Sequence, residues 1–353
     1  MNSFGRIFRI SIFGESHGES VGIVVDGCPA GLPLTIDDFL PDLERRKGGT
    51  QKGTTPRQEE DLPIFKSGIF NNKATGVPIT ILFENKNIRS GDYEKQRDVP
   101  RPGHADFVAH KKFAGFEDYR GSGHFSGRLT VALVAAGVIA KKILALAKIS
   151  PQTPLQSRGG TEGEVKITIT SKILEIGGES NLEKGLQKAI DEKDSIGGII
   201  ECRASGLPIG LGEPFFDSAE SLLSHIVFAI PAVRGIEFGS GFSAARMFGS
   251  EHNDSIENME GKTRTNHAGG IVGGLTNGNE LVFRIAIKPT SSTPKEQNTL
   301  NWHTGKVEAA SVKGRHDLCI ALRVPVILEA VTAIVLADLM LLEQRIPRVR
   351  VTD

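Results

Sequence analysis

The run Pro325-Val326-Ile327-Leu328-Glu329-Ala330-Val331-Thr332-Ala333-Ile334-Val335-Leu336-Ala337-Asp338-Leu339-Met340-Leu341-Leu342 decides the fold. It reads as a helix from Pro325 to about Arg345 that is apolar nearly all round, and it approaches membrane-span length. A second helix of the same kind, rich in Val, Ala, Leu and Ile, is predicted from Arg128 to about Lys148. Glu329 and Asp338 interrupt the first and Lys141 and Lys142 the second. Both therefore read as buried core helices rather than membrane spans. Each follows a glycine-containing polar segment, Gly121-Ser122-Gly123-His124-Phe125-Ser126-Gly127 and Lys313-Gly314-Arg315-His316-Asp317, which suggests an internal pseudo-duplication.

Around these helices the pattern alternates as strands do. Phe8 to Phe13, Val21 to Asp26, Ile64 to Phe70 and Ile79 to Phe83 read as short strands, as do stretches near Glu164 to Thr170, Ile196 to Ala204 and Leu281 to Ile287. Helices are predicted from Thr35, with Asp38 at the capping-box position, and near Leu182 to Glu192 and Ala219 to Ala229. Pro41 argues against the first of these. No Pro/Ser-rich linker divides the chain, so residues 1–353 read as a single α+β domain in which sheets cover the central apolar helices.

Composition narrows the function. Among 353 residues, Lys plus Arg and Asp plus Glu number 42 each, so no global field attracts nucleic acid or an anionic membrane. Any basic site must be local. Cys28, Cys202 and Cys319 lie far apart with no C-x-x-C spacing, which argues against a disulfide framework and a zinc site and favours a reducing, cytoplasmic compartment. No metal site is expected. The first residues, Met1 to Arg6, lack the apolar run of a signal peptide. Glycine is abundant, at 41 residues, while 39% of the chain is apolar, which points to many turns in a globular protein rather than to disorder.

Gly14-Glu15-Ser16-His17-Gly18 fits the G-x-S-x-G elbow of a serine hydrolase, with Ser16 as nucleophile, and equally a glycine-flanked Ser-His pair placing His17 where an anion could reach it. An elbow needs a helix after the serine; Val21 to Asp26 instead reads as a strand. Gly261-Lys262-Thr263 resembles the end of a P-loop, but Ile256 occupies the position of its first glycine. Gly239-Ser240-Gly241-Phe242-Ser243-Ala244 matches a loose dinucleotide fingerprint, without a clear helix behind it. Polar residues in glycine-flanked loops remain. Arg101-Pro102-Gly103-His104-Ala105-Asp106 sets a second histidine after a forced turn, with Asp106 placed to cap the segment after it. Asn266-His267-Ala268-Gly269-Gly270-Ile271-Val272-Gly273-Gly274 allows close backbone approach. Lys288-Pro289-Thr290-Ser291-Ser292 ends a strand with one cation and three hydroxyls, a cradle for a phosphate monoester. Arg45, Arg46, Lys52, Arg57, Arg128 and Arg315, in the same glycine-rich company, suggest a converging anion site.

Taken in order, these segments resemble the chorismate synthase family. The resemblance is carried by Gly14 to Gly18, Val25-Asp26-Gly27, Leu43-Glu44-Arg45-Arg46, Arg101 to Asp106, Asp118-Tyr119-Arg120-Gly121 and Ala135-Ala136-Gly137. It continues through Gly210-Leu211-Gly212-Glu213-Pro214, Asn266 to Gly270, Lys288 to Ser292 and Gly314-Arg315-His316-Asp317 with Cys319 and Glu329. It implies a β-α-β sandwich with internal helices between antiparallel sheets, a homotetramer, and the 1,4-elimination of phosphate from 5-enolpyruvylshikimate 3-phosphate to give chorismate. Reduced FMN is required although there is no net redox change.

By the same resemblance Arg45, Arg46, Arg57 and Arg128 form the substrate-anion clamp, and His17 protonates the leaving phosphate. His104 serves the protonation of the reduced flavin, and Asp317 acts at flavin N5. Flavin contacts fall on Arg46, Lys52, His124, Phe125, Ser126, Pro231, Ala232, Gly273, Lys288, Pro289, Thr290, Ser291, Ser292 and Arg315. The chain departs from the family at Lys47-Gly48-Gly49, where Arg-Pro-Gly is frequent, at Lys52, at His124-Phe125 and at Leu318, which replaces a usual proline. Lysine supplies charge there but not a bidentate fork. No added domain for NADPH is visible, so an external flavin reductant is expected.

Overall fold

The computed structural model describes residues 1–49, 52–55, 59–87, 97–147, 166–312 and 316–346. Two antiparallel sheets hold most of its strands. The first has the order Ser3–Phe4, Arg9–Gly14, Ser20–Asp26, Ile79–Glu84, Ile64–Ser67, and the second Val233–Phe238, Leu281–Ile287, Gly198–Ser205, Thr168–Ile176. Period-2 alternation sets the register. Ile10 faces Val25 and Val25 faces Ile79, so the buried Ile10, Val21, Ile23, Val25, Ile79, Ile81 and Phe83 share the core.

The central helices run Thr130–Leu144 and Val324–Leu342, and they pack on each other. The first also touches the strands of the first sheet, and the second those of the second sheet and the helix Ala219–Val227. Neighbours on every side explain why both sequences are apolar all round: within Ile320–Leu342 a membrane-length apolar window is 94% buried inside the protein. The helices are in tight contact at Gly137. A Cβ there would overlap Ala330, so only glycine admits this separation.

The two carboxylates in the C-terminal helix are tie-points. Glu329 accepts a fork from Arg45 Nη1 and Nη2, both at 2.7 Å, and further bonds from Lys141 Nζ at 3.2 Å and Ser171 Oγ at 2.8 Å. Asp338 accepts the backbone N–H groups of Arg6, Ile7 and Phe8 at 2.8–2.9 Å, anchoring the N-terminal strand to the far end of the chain. These partners make the buried charges tolerable.

Several sequence expectations shift. The helix from Thr35 divides into a 3-10 turn, Ile36–Asp38, and a helix, Leu40–Arg46. Thr35 and Asp38 do form the capping box, and Pro41 is accommodated in the first turn of the second piece, where its missing N–H costs nothing. The strand Ile64 to Phe70 is broken at Gly68. The strand expected from Glu164 runs instead over Thr168–Ile176, with residues 164 and 165 outside the described segments. The hairpin Gln297–Asn301 with Lys306–Ala310 gives no strand signal, because one face is polar apart from Ala310 and the other carries only Leu300 and Val307 as large apolar residues.

Candidate active site

A cavity of about 640 Å³ opens where the loops after several elements converge. One wall is cationic. Arg46, at the end of its short helix, donates from Nη1 to Asp61 at 3.1 Å, and Arg128 Nη1 pairs with the other oxygen of the same carboxylate. Arg46 is completed by Thr130 Oγ1 at 2.9 Å and the carbonyls of Gly127 and Arg128 at 3.0 and 3.1 Å. Arg128 is completed by Asn85 Oδ1 at 3.0 Å and Glu84 O at 3.2 Å. Burial pulls the Arg46 guanidinium below its usual pKa, with Asp61 opposing. Burial raises the Asp61 carboxyl, and the two arginines more than reverse this, leaving it below the usual carboxylate range. Two guanidinium groups share one carboxylate, so the wall keeps one net positive charge for an anion.

The Gly14 to Gly18 segment is attached to that wall. Asn85 Nδ2 donates to Glu15 O at 3.0 Å and Gly18 O at 2.9 Å, Ser16 N donates to Gly123 O at 3.0 Å, and a protonated His124 Nδ1 donates to Gly14 O at 2.8 Å. It forms the turn of an antiparallel hairpin between Arg9–Gly14 and Ser20–Asp26, not a strand-to-helix elbow. Ser16 Oγ is buried with no hydrogen-bond partner, so no base is in place to activate it. The serine-hydrolase alternative finds no support. His17 is buried with its Cδ2–Nε2 edge against Gly121, where φ is +56°; a Cβ at 121 would collide with the ring.

A second polar group faces the cavity from the Arg101 to Asp106 loop. Arg101 forks onto Asp106, from Nε at 2.7 Å and Nη2 at 2.8 Å, and His104 Nδ1 lies 2.6 Å from Asp106 Oδ1. The helix Asp106–Phe113 comes next, yet Asp106 makes no cap bond: its oxygens are taken by Arg101 and His104. Here the expected capping role gives way to an ion-pair network. Lys288 Nζ donates to Gly103 O at 3.0 Å and Ser291 Oγ at 2.7 Å, joining this loop to Lys288 to Ser292. Burial and the neighbouring Arg234 lower the Lys288 ammonium pKa. Asp317 completes a third side, accepting from Thr55 N at 2.9 Å and Arg323 Nη1 at 3.1 Å. Ile10, Ile12, Phe125, Leu129, Leu133, Ile226, Pro231 and Ile320 supply apolar lining.

Residues 8–341 match the family model described as chorismate synthase. The chain belongs to the chorismate synthase family. It is 66% identical over 349 residues to a chorismate synthase from Chitinophaga pinensis, covering 99% of both chains. It is 41% identical over 365 residues to one from Methanocaldococcus jannaschii, covering 97% of this chain and 96% of that one. A crystal structure of a chorismate synthase superposes with a TM-score of 0.69 at 24% identity, over 96% of this chain and 93% of the other; that likeness concerns the fold. As a chorismate synthase family member the chain is an enzyme, a carbon–oxygen lyase.

Of the residues named from the resemblance to chorismate synthase, the cavity lining brings together Arg46, His104, His124, Phe125, Ser126, Arg128, Pro231, Ala232, Lys288, Pro289, Thr290, Ser291, Ser292 and Asp317. His17 lies one layer back, behind Gly121. Arg45 is outside the lining and forked onto Glu329; Lys52 is also outside, donating to Gln187 Oε1 at 3.2 Å. Gly273 lies in the turn of a separate small hairpin, Ile271–Val272 with Leu275–Thr276. Arg57 and Arg315 fall outside the described residues. Sequence reading missed Asp61, Asn85 and Arg323. Asp61 sits in Gln58-Glu59-Glu60-Asp61, where nothing in the sequence separates a buried counter-ion from its acidic neighbours. The three cysteines are buried, and burial pushes their thiols up, to about 12 at Cys28 and Cys202 and about 11 at Cys319, which leaves no reactive thiolate.

The cavity lining also bears on flavin binding. Thr290 Oγ1 is buried without a hydrogen-bond partner, and Thr290, Ser126, Ser292 and Lys288 line the cavity; their hydroxyls and the ammonium are donors for a phosphate tail, whereas the Ser291 hydroxyl is spent on Gly103 O. Phe125 with Pro231 and Ala232 offers an apolar face for a planar ring. The residues present fit reduced FMN. Among the described residues no cluster of His, Cys, Asp or Glu could hold a metal ion.

Proposed function

We propose that the chain catalyses the 1,4-elimination of phosphate and a proton from 5-enolpyruvylshikimate 3-phosphate to give chorismate, with reduced FMN bound in this cavity. The observation that carries it is the shared Asp61: two buried arginines and one carboxylate leave a single fixed positive charge on the wall where an anionic substrate would lie. Arg46 and Arg128, both buried, hold the substrate's anionic groups where a charge is worth more than in bulk solution. His17, one layer behind the lining at Gly121, is the proposed proton donor to the leaving phosphate. His104 governs the proton on the flavin side, and Asp317, held by Arg323 and the Thr55 amide, is the carboxylate assigned to proton transfer there. Reduced FMN supplies electron density to the allylic system. Lys288 to Ser292, Arg46, His124, Phe125, Ser126, Pro231 and Ala232 would hold it.

Membership in the family supports a homotetramer, a cytoplasmic enzyme and an external flavin reductant as the working assembly. The two apolar helices, each seated on its own antiparallel sheet, support a β-α-β sandwich that arose by internal duplication. Arg57 and Arg315 remain proposed substrate and flavin contacts, whereas Arg45, Lys52 and Gly273, which lie outside this lining, do not complete it. Anaerobic incubation with the substrate and reduced FMN, with assay of phosphate and chorismate, is the test. Stoichiometric release of both is the expected result; no phosphate release refutes the proposal. His17→Ala and His104→Ala should fold and lose roughly two to four orders of magnitude in rate.

A further inference from the structure

The Arg101 to Asp106 loop carries more chemistry than one histidine. Asp106 receives Arg101 Nε and the Arg101 backbone N–H on Oδ2, at 2.7 and 3.1 Å, and Arg101 Nη2 on Oδ1 at 2.8 Å. Oδ1 also lies 2.6 Å from His104 Nδ1. Burial raises this carboxyl's pKa, but the hydrogen bonds from Arg101 and His104 drive it well below the usual range, so it is ionised and can only accept. The hydrogen in the 2.6 Å contact is therefore on His104 Nδ1. Arg101 cannot accept a hydrogen bond either. Its Nη2 stands 3.1 Å from Nδ1 and 3.4 Å from Nε2, nearer the nitrogen that Asp106 engages, so it is the contact with Asp106 that places the proton on Nδ1 and leaves the ring's lone pair on Nε2.

The loop cannot easily relax from this arrangement. Arg101 is buried and held by Ser292 Oγ at 3.1 Å and Ser122 Oγ at 2.8 Å. Gly103 O is held by Lys288 Nζ and by Ser291 Oγ at 2.7 Å. Because the Arg101 fork spends most of the carboxylate's charge, what Asp106 supplies to the imidazole is direction more than charge.

We infer that Asp106 is a positioning residue: it fixes the His104 proton on Nδ1, so that Nε2 is the atom exchanging a proton with whatever occupies the cavity. This rests on the reading of His104 as an acid–base group in the proposed function. A carboxylate that only oriented the backbone would leave the tautomer free. One that fixes the tautomer should be sensitive to replacement by its amide: an Asn NH₂ at the Oδ2 position meets two Arg101 donors, Nε and the backbone N–H, but at the Oδ1 position only Nη2. The amide would take the second orientation, offer a hydrogen to Nδ1, and move the ring proton to Nε2.

The test is magic-angle-spinning ¹⁵N NMR of the ligand-free protein labelled at histidine, at a pH where His104 is neutral, with the His104 signal assigned by its loss in His104→Gln. Expected are a wild-type His104 protonated at Nδ1, the Nε2-protonated tautomer in Asp106→Asn, and a fall in kcat of about 10²-fold or more with little change in KM. A wild-type proton on Nε2 overturns the inference, as does an Asp106→Asn variant that folds and keeps the wild-type tautomer. If Asp106→Asn does not fold, the wild-type spectrum decides alone. The spectrum does not depend on turnover, so an inactive wild type with the proton on Nδ1 would sink the proposed reaction and leave this inference standing.

Discussion

Replacing Asp61 by Asn tests the cationic wall directly. The Asp61 side chain is 1% exposed and those of Arg46 and Arg128 are 3% and 5%, so solvent does not screen the three charges. Removing one partner of a buried pair costs about 3–5 kcal/mol, because the other charge is left uncompensated. The lower end applies here. Each arginine keeps neutral acceptors, Thr130 Oγ1 and the Gly127 and Arg128 carbonyls for one, Asn85 Oδ1 and Glu84 O for the other. Asn also tolerates the left-handed φ of +52° at position 61, so the substitution changes charge with little backbone strain. With about 2.1 cal/mol/K of unfolding entropy per residue, a loss of about 3 kcal/mol from a chain of this length lowers Tm by about 4 °C. Scanning calorimetry at pH 7 measures it. Millimolar inorganic phosphate should restore part of the loss and stabilise the variant more than the wild type, since the anion replaces the missing charge. The pH dependence has a definite sign. The folded carboxyl is depressed, so its contribution is full above the unfolded value near ~4 and is lost as pH falls through the folded one; the variant should lack that part of the acid limb. A variant melting within a degree of wild type, indifferent to phosphate, would refute the shared-carboxylate reasoning.

Three further perturbations probe other parts of the structure. Gly121→Ala places a methyl against the His17 ring at a positive φ, and should cut kcat at least tenfold while costing about 1–3 kcal/mol; unchanged steady-state kinetics would show that His17 does not depend on this wall. Gly137→Ala, where the central helices touch at Ala330, should destabilise by about 1–3 kcal/mol through overpacking and leave the kinetics of the folded protein unchanged, which denaturant unfolding and activity assays check together. Asp338→Ala frees the backbone N–H groups of Arg6, Ile7 and Phe8. Hydrogen exchange should accelerate at those amides and in Met1 to Phe4, which line the cavity, whereas unaltered protection would mean the strand is held by its sheet alone.

What could be read from the sequence divides along physical lines. Periodicity recorded the two core helices, because a helix surrounded by neighbours must be apolar on every face, and it recorded the inner strands, whose alternate residues enter the core. It said nothing of the hairpin Gln297–Asn301 with Lys306–Ala310, whose single large apolar pair, Leu300 and Val307, is too little to betray it. The site behaved differently. His17 and His104 stood out because glycine punctuates the loops that carry them, and glycine is where a chain permits crowding. Asp61 and Asn85 could not stand out, since their roles come only from partners far along the chain: Asp61 joins Arg46 to Arg128, and Asn85 ties Arg128 to the Gly14 to Gly18 turn.

That second chain of contacts gives the Gly14 to Gly18 turn its meaning. Arg128 reaches Asp61 and Asn85 with the same guanidinium, and Asn85 holds both ends of the segment containing His17. A substrate anion that pulls on Arg128 therefore acts on a group that also fixes the proposed proton donor. Arg128→Lys, which keeps the charge but loses the fork, separates the two effects: the ammonium can still attract the anion but cannot hold Asp61, Asn85 and Glu84 O together. If the linkage is real, this variant should lose substantially more in kcat, by about tenfold, than in KM, and Asn85→Ala should reproduce the kcat loss without touching the anion. Equal losses in both variants confined to KM would mean that Arg128 serves only as a binding charge and that the turn holds His17 unaided.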